Sequence, residues 1–201
     1  MKTILQIVFG AVAVALAYLF IDSMLEPIRF RDAVEYRRNL VIQRLKDIRD
    51  LEIAYKDRYG RFSGSFDTLI SFYKLDSLKI IKQVGSWDDS AAVAKKLVFT
   101  DTIKIAVKDT LFKRREKFSI DSVRRVPLVN SDFDIAAVMY PSISGVEIPL
   151  FEAKTDNRIY LGGLDIQAIV NLTDEQQNMN KYPGLKVGSI TQPNNNTGNW
   201  E

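Results

Sequence analysis

Ile4-Leu5-Gln6-Ile7-Val8-Phe9-Gly10-Ala11-Val12-Ala13-Val14-Ala15-Leu16-Ala17-Tyr18-Leu19-Phe20-Ile21 is one apolar run broken only by Gln6. As a helix its 18 residues span roughly 27 Å, close to the hydrocarbon thickness of a bilayer. The reading is a retained transmembrane anchor over residues 1–25, with Ile4, Val8, Val12, Leu16 and Phe20 among its lipid-facing residues. A cleavable signal peptide is the alternative, with Lys2 as its basic start and Ala15-Leu16-Ala17 as a small-x-small cleavage site. The run continues past that site through Ile21, longer than the usual apolar core of a signal, which favours the anchor. Alanines at four-residue spacing, Ala11 with Ala15 and Ala13 with Ala17, permit close approach of two such helices.

Working outward, Pro27 reads as a joint between anchor and stem. From about Ile28 to Tyr59 an apolar stripe recurs at helical spacing, with Val34, Val41, Leu45, Ile48 and Tyr55 as the packing face of a stem over residues 26–60. Arg37, Arg38, Arg44, Asp47, Arg49 and Asp50 read as the solvent side, and Glu52 with Lys56 as an exposed i,i+4 ion pair. The stripe serves either a coiled-coil seam, which Arg44 and Glu52 interrupt, or packing against the C-terminal half of the same chain. The second is the preferred expectation. Gly60 is placed to end the helix.

Residues 61–182 read as a head of mixed helix and strand. Phe66 to Tyr73 has helical spacing with Ser65 as N-cap. Strand signatures follow at Leu97–Phe99, Ile103–Val107 and Val146–Phe151, the last read as an edge strand because of Pro149. Leu164 to Leu172 reads as a short helix with Asp165 near its start. The Pro-, Asn- and Gly-rich stretch 183–201 reads as a flexible tail. The fold class is therefore α+β: a transmembrane helix continuing into a long amphipathic stem, then a small β-rich head.

The chain of 201 residues is 46% hydrophobic and 26% charged, a globular composition. It contains neither cysteine nor histidine, which removes thiolate chemistry, the commonest general base and the commonest transition-metal ligands. Net charge of +3 is too small to argue for nucleic acid. Asp88 with Asp89 and Asp132 with Asp134 lack the spacing of a calcium loop, and Leu161-Gly162-Gly163-Leu164 lacks the lysine of a phosphate loop. No catalytic, cofactor or metal residue is assigned, no cofactor is expected, and the function expected is non-enzymatic. Lys113, Arg114, Arg115, Lys117, Arg124 and Arg125 form a candidate basic interaction surface.

The stretch from Asp47 to Phe62, ending Tyr59-Gly60-Arg61-Phe62, resembles the stem end of type IV pilins and type II secretion pseudopilins. The resemblance implies an N-terminal membrane helix running into a stem, a Gly-Arg-aromatic turn and a β-rich head. The glutamate that those families carry a few residues into the apolar helix has no counterpart: the first acid after the span is Asp22. The end of the chain, Tyr182 to Ser189 and Asn199-Trp200-Glu201, resembles uncharacterised single-span bacterial envelope proteins. The expected location is the bacterial inner membrane, with the body in the periplasm because the short basic start Met1-Lys2-Thr3 before an apolar run is how exported proteins begin. Arg29, Arg31, Arg37 and Arg38 after the span argue the opposite orientation under the positive-inside rule. The expected partners are the lipid bilayer and a protein or a second copy, with no nucleic acid and no identified small-molecule substrate. A membrane-tethered module for lipid, glycan or peptide is the alternative function.

Overall fold

In the computed structural model, which describes residues 2–84, 99–113, 115, 118–142 and 145–201, the apolar run and the stem are a single helix. α1 (Lys2–Tyr59) has 58 residues, about 87 Å of rod. Pro27 is not the expected joint, since it lies inside this helix. An interior proline forfeits one backbone hydrogen bond at a cost of about 3 kcal/mol. Long helix-forming sequence on both sides, packed by the head from Phe30 onward, outweighs that loss. Gly60 ends the rod as expected: it adopts φ +74°, and its N–H donates to the Lys56 carbonyl at 2.7 Å.

The turn 61–65 reverses the chain into α2 (Phe66–Leu75). Ser65 occupies the N-cap position but its side chain caps nothing; instead its N–H donates to the Ser63 hydroxyl. β1 (Ser77–Val84) and β2 (Phe99–Ala106) pair antiparallel as a two-stranded ribbon, from Ser77 opposite Ala106 to Val84 opposite Phe99. Val107, expected in the strand, instead opens a one-turn helix, α3 (Val107–Thr110). The expected strand residues Leu97 and Val98, the break at 85–89 and the pair Asp88 and Asp89 lie outside the described residues.

β3 (Asp134–Pro141), β4 (Glu147–Asp156) and β5 (Gly184–Gly188) form an antiparallel sheet in the order β3-β4-β5. A one-turn helix, α4 (Asn157–Tyr160), and α5 (Ile166–Asn178) connect β4 to β5. Asp165 caps α5 through Ala168 N–H at 2.7 Å. β4, read from Pro149 as an edge, is the central strand. β5 pairs only with Glu152 to Asp156, so Pro149 sits where β4 has one neighbour, Met139 of β3, and its missing N–H breaks no second ladder.

The segment 183–201 is not the expected flexible tail. Its first part is β5, and the remainder folds back along β5's outer edge: Gly188 N–H donates to the Thr197 carbonyl and Asn199 N–H to that of Lys186, at 3.0 Å each. Trp200 packs against the core, and Glu201 pairs with Arg49 of α1 at 2.7 Å. Polar turn residues here satisfy backbone groups rather than solvate a free end.

One core joins these parts. Val41, Leu45, Ile48 and Tyr55 of α1 are buried against α2, β4 and β5, and Val34 packs at its margin. Phe62 meets Phe151 with ring centroids 4.8 Å apart. The stem face is thus covered by the chain's own head, which leaves those residues no surface for a coiled-coil seam.

Candidate functional site

Three features stand out from this frame. The first is the bare half of α1. Every described side chain before Phe30 is exposed, Val8, Val12, Leu16 and Phe20 among them; Ile4 lies in the helix, its side chain outside the description. The most apolar 18-residue window has a mean hydropathy of 2.1 and is wholly unburied. The helix is long and apolar enough to cross a membrane.

The second is a cleft of about 450 Å³ between the stem (Leu40, Gln43, Arg44, Asp47) and Arg115, Phe118, Ser119, Ser122 and Pro127. Asp47, read from sequence as solvent-facing, is buried; its carboxylate accepts from Arg115 at 2.5 Å and from Gln43 at 3.1 Å. Arg44 donates to the neutral Ser122 hydroxyl at 2.7 Å, and no carboxylate of the described residues lies within ion-pairing distance of it. Burial lowers its pKa, with Asp47 partly opposing and Arg115 adding to the effect. Burial likewise raises Asp50's pKa, with Arg49 opposing. A half-buried guanidinium without a paired carboxylate, beside the apolar walls of Leu40, Phe118 and Pro127, is chemically suited to an organic anion.

The candidate basic surface is divided by this arrangement. Arg115 turns into the stem. Arg124 bonds Asp132 at 2.9 Å and reaches Asp67 of α2 at 3.2 Å. Lys113 and Arg125 are exposed, while Arg114 and Lys117 lie outside the described residues.

The third is Glu52, fully buried in the stem. One carboxyl oxygen accepts the Ser63 N–H at 2.8 Å; the other has no partner among the described residues. Desolvation pushes its pKa up to about 8, the Ser63 bond opposing, so the group is mostly neutral at pH 7. The expected Glu52–Lys56 surface pair is absent: the Lys56 ammonium lies 5.1 Å from the Phe62 ring centroid. The clue in the sequence was position, because Glu52 falls on the stripe between Ile48 and Tyr55. Beside this turn, residues Arg61 to Ser65, with Tyr55 and Thr68, face Ala137 to Met139 of β3 across a cavity of about 380 Å³.

Compared with known proteins, the chain matches no protein family, no curated protein and no solved structure.

Proposed function

We propose that this chain is a single-pass envelope protein, held in the bacterial inner membrane with its body in the periplasm, acting as a non-enzymatic structural or accessory component through protein contacts. One observation carries the reading: an uncovered apolar helix continues without a break into a rod whose second half is locked into the head. Such a rod holds the head at a set distance from lipid. The sequence of membrane helix, stem, Gly60-Arg61-Phe62 turn and head supports a pilin- or secretion-related assembly. Crosslinking in intact cells tests it: capture of a defined partner or a second copy is expected, and a body that captures neither rejects the assembly role. A reporter fused at the carboxyl terminus tests the side, with activity expected only outside the cytoplasm.

The cleft around Arg44 favours a second reading, a tethered module for a small organic anion. In that case benzoate or inorganic phosphate raises the unfolding temperature of the wild-type chain and leaves Arg44→Gln unmoved. Equal shifts in both proteins reject it.

A further inference from the structure

We propose that Ile21, Met24, Leu25 and Ile28 form a strip that lies in the headgroup zone of the bilayer, so that α1 leans toward this side and carries the head on its upper flank. The inference rests on the anchor reading and adds an orientation to it. These four residues stand at i, i+3, i+4 and i+7, one face of a helix. They are 57%, 60%, 39% and 45% exposed, and the head covers none of them.

The neighbouring flank over the same two turns is polar. Asp22, Glu26 and Arg29 line a cavity of about 350 Å³ with Phe30, Ala33 and, from the head, Leu164 and Asp165. Asp22 and Arg29 pair there at 2.8 Å. Just above, Arg37 donates to the carbonyls of Tyr160 and Gly162, at 3.2 and 2.7 Å, fixing the head to this side of the rod.

The apolar boundary is therefore slanted. On the head flank it has ended by Asp22, while on the strip it runs to Ile28, an offset of at least six residues or roughly 9 Å along the axis. Across a helix roughly 10–12 Å wide, a level membrane surface meets both boundaries only if the rod leans by about 40°, the upper end of the range membrane helices adopt. Lipid rather than a second copy is the occupant because the strip is continuous with the apolar run. Four side chains also fall far short of the roughly 800 Å² each partner contributes to a stable protein interface. Asp32 and Glu35 end the strip on the same face.

The chain has no cysteine, so single labels report cleanly. The full chain carrying Leu16→Cys, Leu25→Cys, Glu26→Cys or Ile28→Cys is coupled to an environment-sensitive fluorophore and reconstituted in phosphatidylcholine vesicles with lipids spin-labelled high on the acyl chain. Quenching is expected at positions 16, 25 and 28, at least twofold stronger than at 26. Quenching at 16 with 28 no stronger than 26 overturns the lean while the anchor stands. No quenching at 16 overturns the anchor, and the inference with it. Blue-shifted but unquenched labels at 25 and 28 that return to the aqueous spectrum on dilution with lipid assign the strip to a second copy instead.

Discussion

At the scale of single residues, the least expected feature is a carboxyl group in the centre of the stem. Glu52 has an ordinary pKa of 4.5 and a folded value of about 8. Below 4.5 both states hold the proton, and stability does not respond to this group. Between 4.5 and about 8 the unfolded chain releases the proton while the folded one keeps it, so stability falls by roughly 1.4 kcal/mol per pH unit, about 5 kcal/mol in all at most. Glu52→Gln keeps an acceptor for the Ser63 N–H and carries no charge. Urea denaturation at pH 5 and pH 9 is therefore expected to show the variant gaining on the wild type as pH rises; parallel losses in both proteins would refute the assignment. Asp47 tests the opposite case, a buried charge held by its partner. Arg115→Met leaves that carboxylate with Gln43 as its remaining side-chain donor and is expected to cost about 1–3 kcal/mol, discounted because Arg115 is itself partly exposed. Adding Asp47→Asn to Arg115→Met is expected to restore most of the loss in the same denaturation assay.

At the scale of elements, β5 depends on a glycine at each end: a Cβ at Gly184 would lie 2.3 Å from the Thr155 carbonyl oxygen in β4. Gly188 sits at φ +74°, and a Cβ there would lie 2.2 Å from the Phe151 carbonyl oxygen in β4. Gly188→Ala is expected to destabilise by about 3 kcal/mol or more, through left-handed strain and separation of β4 from β5; an unchanged unfolding temperature would show that the strand end can relax. Helices were the readable elements, because periodicity in α1 and α2, Asp165 at the start of α5 and glycine at position 60 are local signals. Strand roles were not local. Pro149 correctly reported a missing neighbour, yet whether β4 is central depends on β5, more than thirty residues away. The turn-rich end reads as flexible because Asn and Gly are turn formers wherever they occur; what orders it is Val187 opposite Gly198 and the pair Arg49–Glu201, both set by the tertiary fold.

At the scale of the whole molecule, the division into a bare half and a packed half was legible from Ile4 to Ile21 and from the stem stripe. The polar contents of the junction were not. Helical face alone puts Asp47 and Arg44 toward solvent, yet the head wraps far enough around the rod to bury Asp47 and half-bury Arg44 beside the stripe. That wrapping has a consequence for stability. Among the described side chains of α1 the first to touch the core is Phe30, so none of those before Ile28 contributes to it. A chain starting at Ile28 is expected to keep the near-ultraviolet signal of the folded head, to which Trp200 and the buried Tyr55 and Tyr160 contribute, and to lose sedimentation with vesicles. Its urea m-value is expected to match that of the full chain, because m follows the surface newly exposed on unfolding and residues 8–29 already expose theirs. Loss of the spectrum on truncation would mean that the apolar half folds against the head when lipid is absent, and membrane attachment and head folding would then be one transition rather than two.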